Sequence, residues 1–486
     1  MSEPTYPNLG PEDSTRCDPT MQSCPALCPP DFILTTPCRI IKAGGGSVQM
    51  SAREILPGYP SGTYTWTTAS TKIMLVNPNS STVTVEGLAT PSANRDAETI
   101  TVTRTATGCP PIVKTVNVTV AKVTFSAAAS QRYGYDNFDT PANSLDDHIC
   151  VKKSDHTFLH VNIEGGALGT DFDFVCDDPA KCTTVAPGGT ASFDLRLDAG
   201  AQNKANTALH AKVKCSPATS FAQIQVHVYK EVTVKVVVAK IHDSTQAGTS
   251  LRFPTADYAA HTAAVNDKVK EAVVKYDISN YAAGNAQTDV RYDLDGNGAL
   301  SYDIANKGGA ELDAIKSAMT GTGTKVRLAI IRNLRSFYYL SAAANINDRT
   351  ITVTAGRVYD TRSTLQLGTG ASQEAVTIAS ISGSTITLGA PLGKAHASGE
   401  PLEYSAAGGW STDPILVKEG SADLDTLKWT ILHESGHQAL TLTDINDQTN
   451  CMHYNQSWTD YRLRYCPRSI YRGGGTENQW EKIPRI

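Results

Sequence analysis

The chain is predicted to be multidomain, with two β-sandwiches in its N-terminal half followed by an α+β domain. Three observations lead there. At 486 residues it is too long for one core to serve, and length alone suggests about three domains. Up to about residue 230, short runs of Val, Ile, Thr and Tyr alternate with polar residues between turn signals, which is the period of half-buried strands. Beyond Glu231 the period changes: a long β-branched run gives way to segments with helical spacing.

Taken in order, residues 1–35 are rich in Pro, Cys and Ser and carry no periodicity, so they read as a cysteine-held N-terminal segment. Residues 36–123 contain Thr63-Tyr64-Thr65-Trp66, Val83-Thr84-Val85, Thr99-Ile100-Thr101-Val102 and Val116-Asn117-Val118-Thr119-Val120, the pattern of an immunoglobulin-like β-sandwich. Residues 124–230 repeat it, with His160-Val161-Asn162-Ile163 and Gln223-Ile224-Gln225-Val226-His227-Val228 marking a second sandwich. His156 and His160 stand in strand-like sequence, so they read as surface or packing histidines. The third domain spans 231–486. Its expected elements are a strand at Val232–Ile241, a helix at Ala256–Tyr276 opened by Pro254 and Thr255, and a strand near Val290. A helix at Ala310–Met319 and a strand at Val326–Ile331 follow, and the Thr-, Ser- and Gly-rich stretch 345–404 reads as an inserted β module.

Composition excludes several classes. Net charge is −5 and no Lys/Arg run occurs, so nothing recruits nucleic acid. No apolar stretch approaches the length of a membrane span. The start, Met1-Ser2-Glu3-Pro4, is polar and unlike a secretory signal. Yet 11 cysteines are more than a cytosolic enzyme ordinarily carries, and their spacings do not form paired CxxC metal sites. Most are expected in disulfides, with Cys38–Cys109 stapling the first sandwich and Cys451–Cys466 pinning a C-terminal loop; the odd count leaves at least one thiol over. Signal-less export to a secreted or periplasmic location reconciles these facts.

Chemistry concentrates near the C-terminus, in His433-Glu434-Ser435-Gly436-His437. Leu424, Leu427, Ile431 and Leu432 give helical spacing before it, and Ser421 or Asp423 can cap the helix. Residues four apart share a helix face, so His433 and His437 can grip one Zn²⁺, with Glu434 as general base. Downstream come Asp444, Asp447 and Cys451-Met452-His453-Tyr454. The segment resembles the metzincin metallopeptidases, with matrixin-like spacing stretched by one residue. The resemblance implies a zincin fold for the α+β domain, Asp444 as third zinc ligand with Asp447 and His453 as alternatives, Met452 as the Met-turn, and Tyr454 near the metal as an aid to the transition-state oxyanion. The glycine that lets metzincins turn after the helix is absent, and Leu440 or Thr441 stands in its place. Pro414-Ile415-Leu416-Val417 is expected as the edge strand against which substrate pairs, with Gly408-Gly409-Trp410 shaping the loop before it.

A second metal is suggested by Asp293-Leu294-Asp295-Gly296-Asn297-Gly298, which resembles the first half of an EF-hand Ca²⁺ loop. Asp293, Asp295 and Asn297 would be its ligands; Ile304 occupies the twelfth position, where an acid is expected, and a plain Asx-rich turn is the alternative. Together these features predict a zinc endopeptidase acting on protein or peptide substrates. The architecture resembles exported toxins of type VI-like secretion machines, which would imply a secretion-machine or immunity partner. The alternative is a β-rich binding or adhesive protein whose zincin domain is structural.

Overall fold

The computed structural model describes residues 28–485 except 29–30, 56–60, 137–146, 186–187, 246–257, 283–285, 307, 321–322, 324–325, 355–363, 405–408, 411, 419–423, 454–461, 466–467 and 472–473. The Cys/Pro-rich segment before residue 28, Pro254 and Thr255, the caps Ser421 and Asp423, and Tyr454 therefore lie outside the described residues.

Alternation in the N-terminal half does produce strands. A four-stranded sheet containing Ser47–Glu54 and Thr82–Gly87 faces the strands Thr63–Thr68, Glu98–Thr105 and the first half of Ile112–Ala127. Between them lie Trp66, Val83, Val85, Ile100, Val102 and Val118, all essentially inaccessible to water. The 16-residue strand Ile112–Ala127 runs on into a second core, where it pairs with His156–Glu164. Its Val123 and Phe125 pack there with Leu159, Phe172, Leu209 and Ile224. One continuous strand thus serves both cores, and the expected boundary at 123–124 falls inside it.

Beyond residue 231 the chain departs from expectation. The fold class expected there, an α+β zincin catalytic domain after two immunoglobulin-like sandwiches, is corrected by the secondary structure itself: strand takes 48% of the structure and helix 12%. The molecule is mostly β, and the described residues hold too little helix to show such a domain. Among the described residues the α-helices are α1 (Tyr258–Val269), α2 (Ala310–Ala318), α3 (Leu424–Leu440) and the single turn α4 (Gln479–Lys482). The physical reason is visible at α1, expected to reach Tyr276. Val273 takes a left-handed conformation that ends it, and Val274–Asn280 form a strand parallel to Val232–His242. Val274, Tyr276 and Ile278 alternate inward, so period two outweighs the helical reading.

The sheet beneath α3 runs in the order Val274–Asn280, Val232–His242, Val326–Ile331, Ile415–Lys418, Gly409–Trp410. All pairings are parallel except the last. Ile415–Lys418 is therefore not the edge strand that was expected, since Gly409–Trp410 covers its outer side. Residues of the stretch 345–404 join a second sheet through Leu334–Tyr339 and Pro401–Tyr404. Val236, Leu328, Ile415, Ile431, Leu432 and Met452 share one core with Cys150 and Tyr229, so the second sandwich and the C-terminal region are packed without a gap.

Candidate metal centre

α3 carries the motif. Ile431 and Leu432 are buried against the sheet, which fixes the rotation of the helix and turns His433 and His437 to a common face. The Nε2 atoms of the two rings are 3.2 Å apart, and each is 3.2 Å from Oδ1 of Asp444. The third position expected from the sequence is thus brought to the pair.

The tautomers follow from the partners. Nδ1 of His437 donates to the carbonyl of Leu442 at 2.8 Å, and Nδ1 of His433 to that of Cys451 at 3.4 Å. A carbonyl can only accept, so each Nδ1 carries hydrogen and, in the neutral ring, each Nε2 presents a lone pair. Two lone pairs and a carboxylate oxygen at mutual contact repel unless a cation joins them. Oδ1 of Asp444 is also buried without a conventional hydrogen bond. Ligand atoms at ~2.0–2.1 Å from a tetrahedral Zn²⁺ stand about 3.3 Å apart, so the spacing fits that ion. With no cation, a proton must bridge instead. Burial opposes charge on His437, but Asp444 and Glu434 outweigh it and raise its pKa to about 9. Asp444 is held far below the usual carboxylate range: burial works against this, and the two imidazoles prevail.

Glu434 is enclosed. Burial pushes its carboxyl above the ordinary range, with His433 and His437 pulling it down and Asp444 pushing it up. Met452 is fully buried under the site. A Cβ on Gly436 would lie 2.7 Å from the Met452 sulfur, so only glycine lets α3 sit this close to the Met-turn. The glycine missing after the helix is replaced by strain: Thr441 adopts φ +58°, the left-handed cap that a glycine ordinarily supplies.

The alternative ligands are placed elsewhere. Asp447 takes hydrogen bonds from the Thr449 amide and hydroxyl and pairs with Arg468 at 2.9 Å, as a turn-forming Asp would. His453 is buried in the loop, its amide bonded to Asn450, and falls outside the converging group. Cys451 is a buried thiol, not half of a disulfide; Cys466 lies outside the described residues.

Several contributors were not legible beforehand. Trp429 lies flat on His433, with centroids 4.4 Å apart and planes at 24°. The i, i+4 spacing could have suggested it. Asn450 and Gln479 exchange two amide hydrogen bonds in the core, and Asn450 also accepts from the Met452 amide. They hold the loop from far along the chain, and no local signal marks such a pair.

At the second expected site, Asp293 and Asp295 do converge, within 4.8 Å, but their third partner is Glu311 of α2. Its carboxylate accepts from the amides of Leu294, Asp295 and Ser301. Asn297 instead donates to Asp295 and Ser301. Burial raises the Glu311 pKa against those amides.

Among the described residues two disulfides are present, Cys28–Cys109 and Cys38–Cys215, and they replace the expected Cys38–Cys109 pair. They fit a non-reducing compartment. Among the described residues no helix is long and apolar enough to cross a membrane.

No family model matches the chain, and no curated protein matches it. Solved structures do match over part of it. Tandem Ig repeats of Dlar align with 42% of this chain and 97% of their own at 10% identity, with a TM-score of 0.15. Domains 5–6 of the S-layer protein SbsC align with 41% and 97% at 15% identity and a TM-score of 0.14. The I9–I11 tandem of titin aligns with 44% and 73% at 10% identity and a TM-score of 0.16. Scores this low leave the fold to be read from the chain's own strands.

Proposed function

We propose that the chain is a zinc-dependent endopeptidase, its metal held by His433, His437 and Asp444. One observation carries the proposal: three ligand atoms converge at 3.2 Å while both Nδ1–H groups are committed elsewhere. Zinc at such a site supplies a Lewis acid that polarises a carbonyl and makes a water acidic. The chain's own residues do the rest. The carbonyls of Leu442 and Cys451 orient the imidazoles, and Trp429 keeps the His433 ring flat. Glu434, enclosed and raised in pKa by burial, takes a proton from the attacking water and returns it to the leaving amine. An extended peptide can pair with the outer side of Gly409–Trp410, the strand that ends the sheet. The likeness to metzincins is proposed for this site alone.

The sandwiches would dock or deliver the enzyme. Their disulfides agree with work outside the reducing cytosol, as an exported effector with a secretion-machine or immunity partner. The high strand content also favours a second reading, a binding or adhesive protein in which the metal only braces the loop. Cleavage of unfolded casein separates the two. The wild type should cleave it, chelator should abolish this, and Glu434→Gln should lose about 100-fold or more while keeping its zinc. Undiminished cleavage by Glu434→Gln would remove the mechanism, and no cleavage by the zinc-loaded wild type would favour the binding protein.

A further inference from the structure

A well-formed cavity lies away from the candidate metal centre. It is a cleft of about 440 Å³ between the Asp295 loop and the turn at Gly368–Gln373. That size is within the range of small-molecule sites. We propose that this cleft binds a saccharide.

Its floor is one face of a sheet. Arg335, Phe337 and Tyr339 alternate along the strand Leu334–Tyr339 and so point the same way. Phe337 stands opposite Glu403 on the neighbouring strand. The Phe337 and Tyr339 rings are 6.4 Å apart and inclined at 35°; Phe337 is buried and backs the partly exposed Tyr339, on whose ring the C–H face of a sugar can rest. The Arg335 guanidinium lies 5.4 Å over the Phe337 ring, and its Nε donates to Glu403 at 2.8 Å.

The polar groups select the ligand class. Arg335 and Glu403 neutralise each other, so among the described lining residues no free cation invites a phosphate. Asp295 already accepts from Asn297 and Ser301, which leaves little demand for a basic side chain. The exposed Gln373 amide and the Tyr339 hydroxyl have no partner among the described residues. Amide and hydroxyl groups both donate and accept, as every sugar hydroxyl does, and the carboxylates and guanidinium beside them complete such a set. Gly370, at φ +57°, takes the left-handed conformation of the turn beside the cleft, and no atom stands within 4 Å of where its Cβ would be.

The test is isothermal titration of the full chain with chitotriose, cellotriose and maltotriose. At least one should bind with a Kd of about 1 mM or tighter, and Gln373→Ala and Tyr339→Phe should each weaken it about tenfold. Both variants should keep the wild-type thermal unfolding and zinc content, since neither touches α3. Gln373 is exposed, so its variant remains informative even if the change at Tyr339 disturbs the sheet. The proposal is overturned if none of the three sugars binds, if both variants bind as the wild type does, or if N-acetyl-lysine amide binds in their place.

Discussion

Thr441 shows how one residue can meet a structural demand at a cost. A metal-binding helix must end abruptly so that the chain can return a third ligand, and the turn needs a left-handed residue. A β-branched side chain is poorly suited to φ +58°. Replacing Thr441 with Gly should therefore stabilise the fold, by about 1 kcal/mol, in urea unfolding of the zinc-loaded protein. An unchanged or lowered midpoint would mean that the hydroxyl, which donates to the Leu440 carbonyl, matters more than the backbone strain. The motif residues were readable because their chemistry is local: two imidazoles one turn apart and an acid between them. Asp444 was reachable by resemblance, and the structure places it at the pair. Asn450 with Gln479 was unreadable, since nothing near either residue announces a partner 29 positions away.

At the level of the elements, the proposed metal site joins α3 to the loop that carries Leu442, Asp444 and Cys451. The loop is also tied by the Thr443–Glu477 hydrogen bonds and by the bond from the Ile445 amide to the Met452 carbonyl. A ligand held across two elements stabilises both by mass action, about 2.7 kcal/mol at a hundredfold excess over its Kd. Chelation should thus lower the Tm, zinc should restore it, and Asp444→Ala should be insensitive to both. A wild-type Tm unmoved by chelator would mean that the cation is not part of the fold. The elements most often misread from sequence were those where two periods compete. Val273–Ile278 could continue α1 or begin a strand, and burial of every second residue, Val274, Tyr276 and Ile278, in a strand parallel to Val232–His242 decided it. The edge strand was misplaced because Gly409–Trp410 is only two residues long, too short for any pattern.

On the scale of the whole molecule, the cores are continuous. His227 of the second sandwich lies 3.0 Å from His148, and both rings pack on Tyr465 of the C-terminal segment. Burial, helped by the charge of His148, lowers the His227 pKa from 6.5 to about 3. The unfolded chain takes up this proton first as pH falls. The stability contributed is therefore complete above pH 6.5 and lost between there and about 3, by up to ~1.4 kcal/mol per pH unit. Urea unfolding from pH 7 to pH 4 should show that slope, and His227→Gln should flatten it relative to the wild type; parallel curves would refute the assignment. The β-rich N-terminal half was legible because alternation is a strong signal. The overall class was not: the His433–His437 motif occupies one helix, and it says little about how much strand surrounds it.

The most direct test is zinc stoichiometry by native mass spectrometry on the wild type and on His433→Ala, His437→Ala and Asp444→Ala. One zinc ion per wild-type chain is expected, with each substitution releasing it. A wild type that binds no zinc under saturating metal, or variants that retain it, would contradict the assignment of this triad.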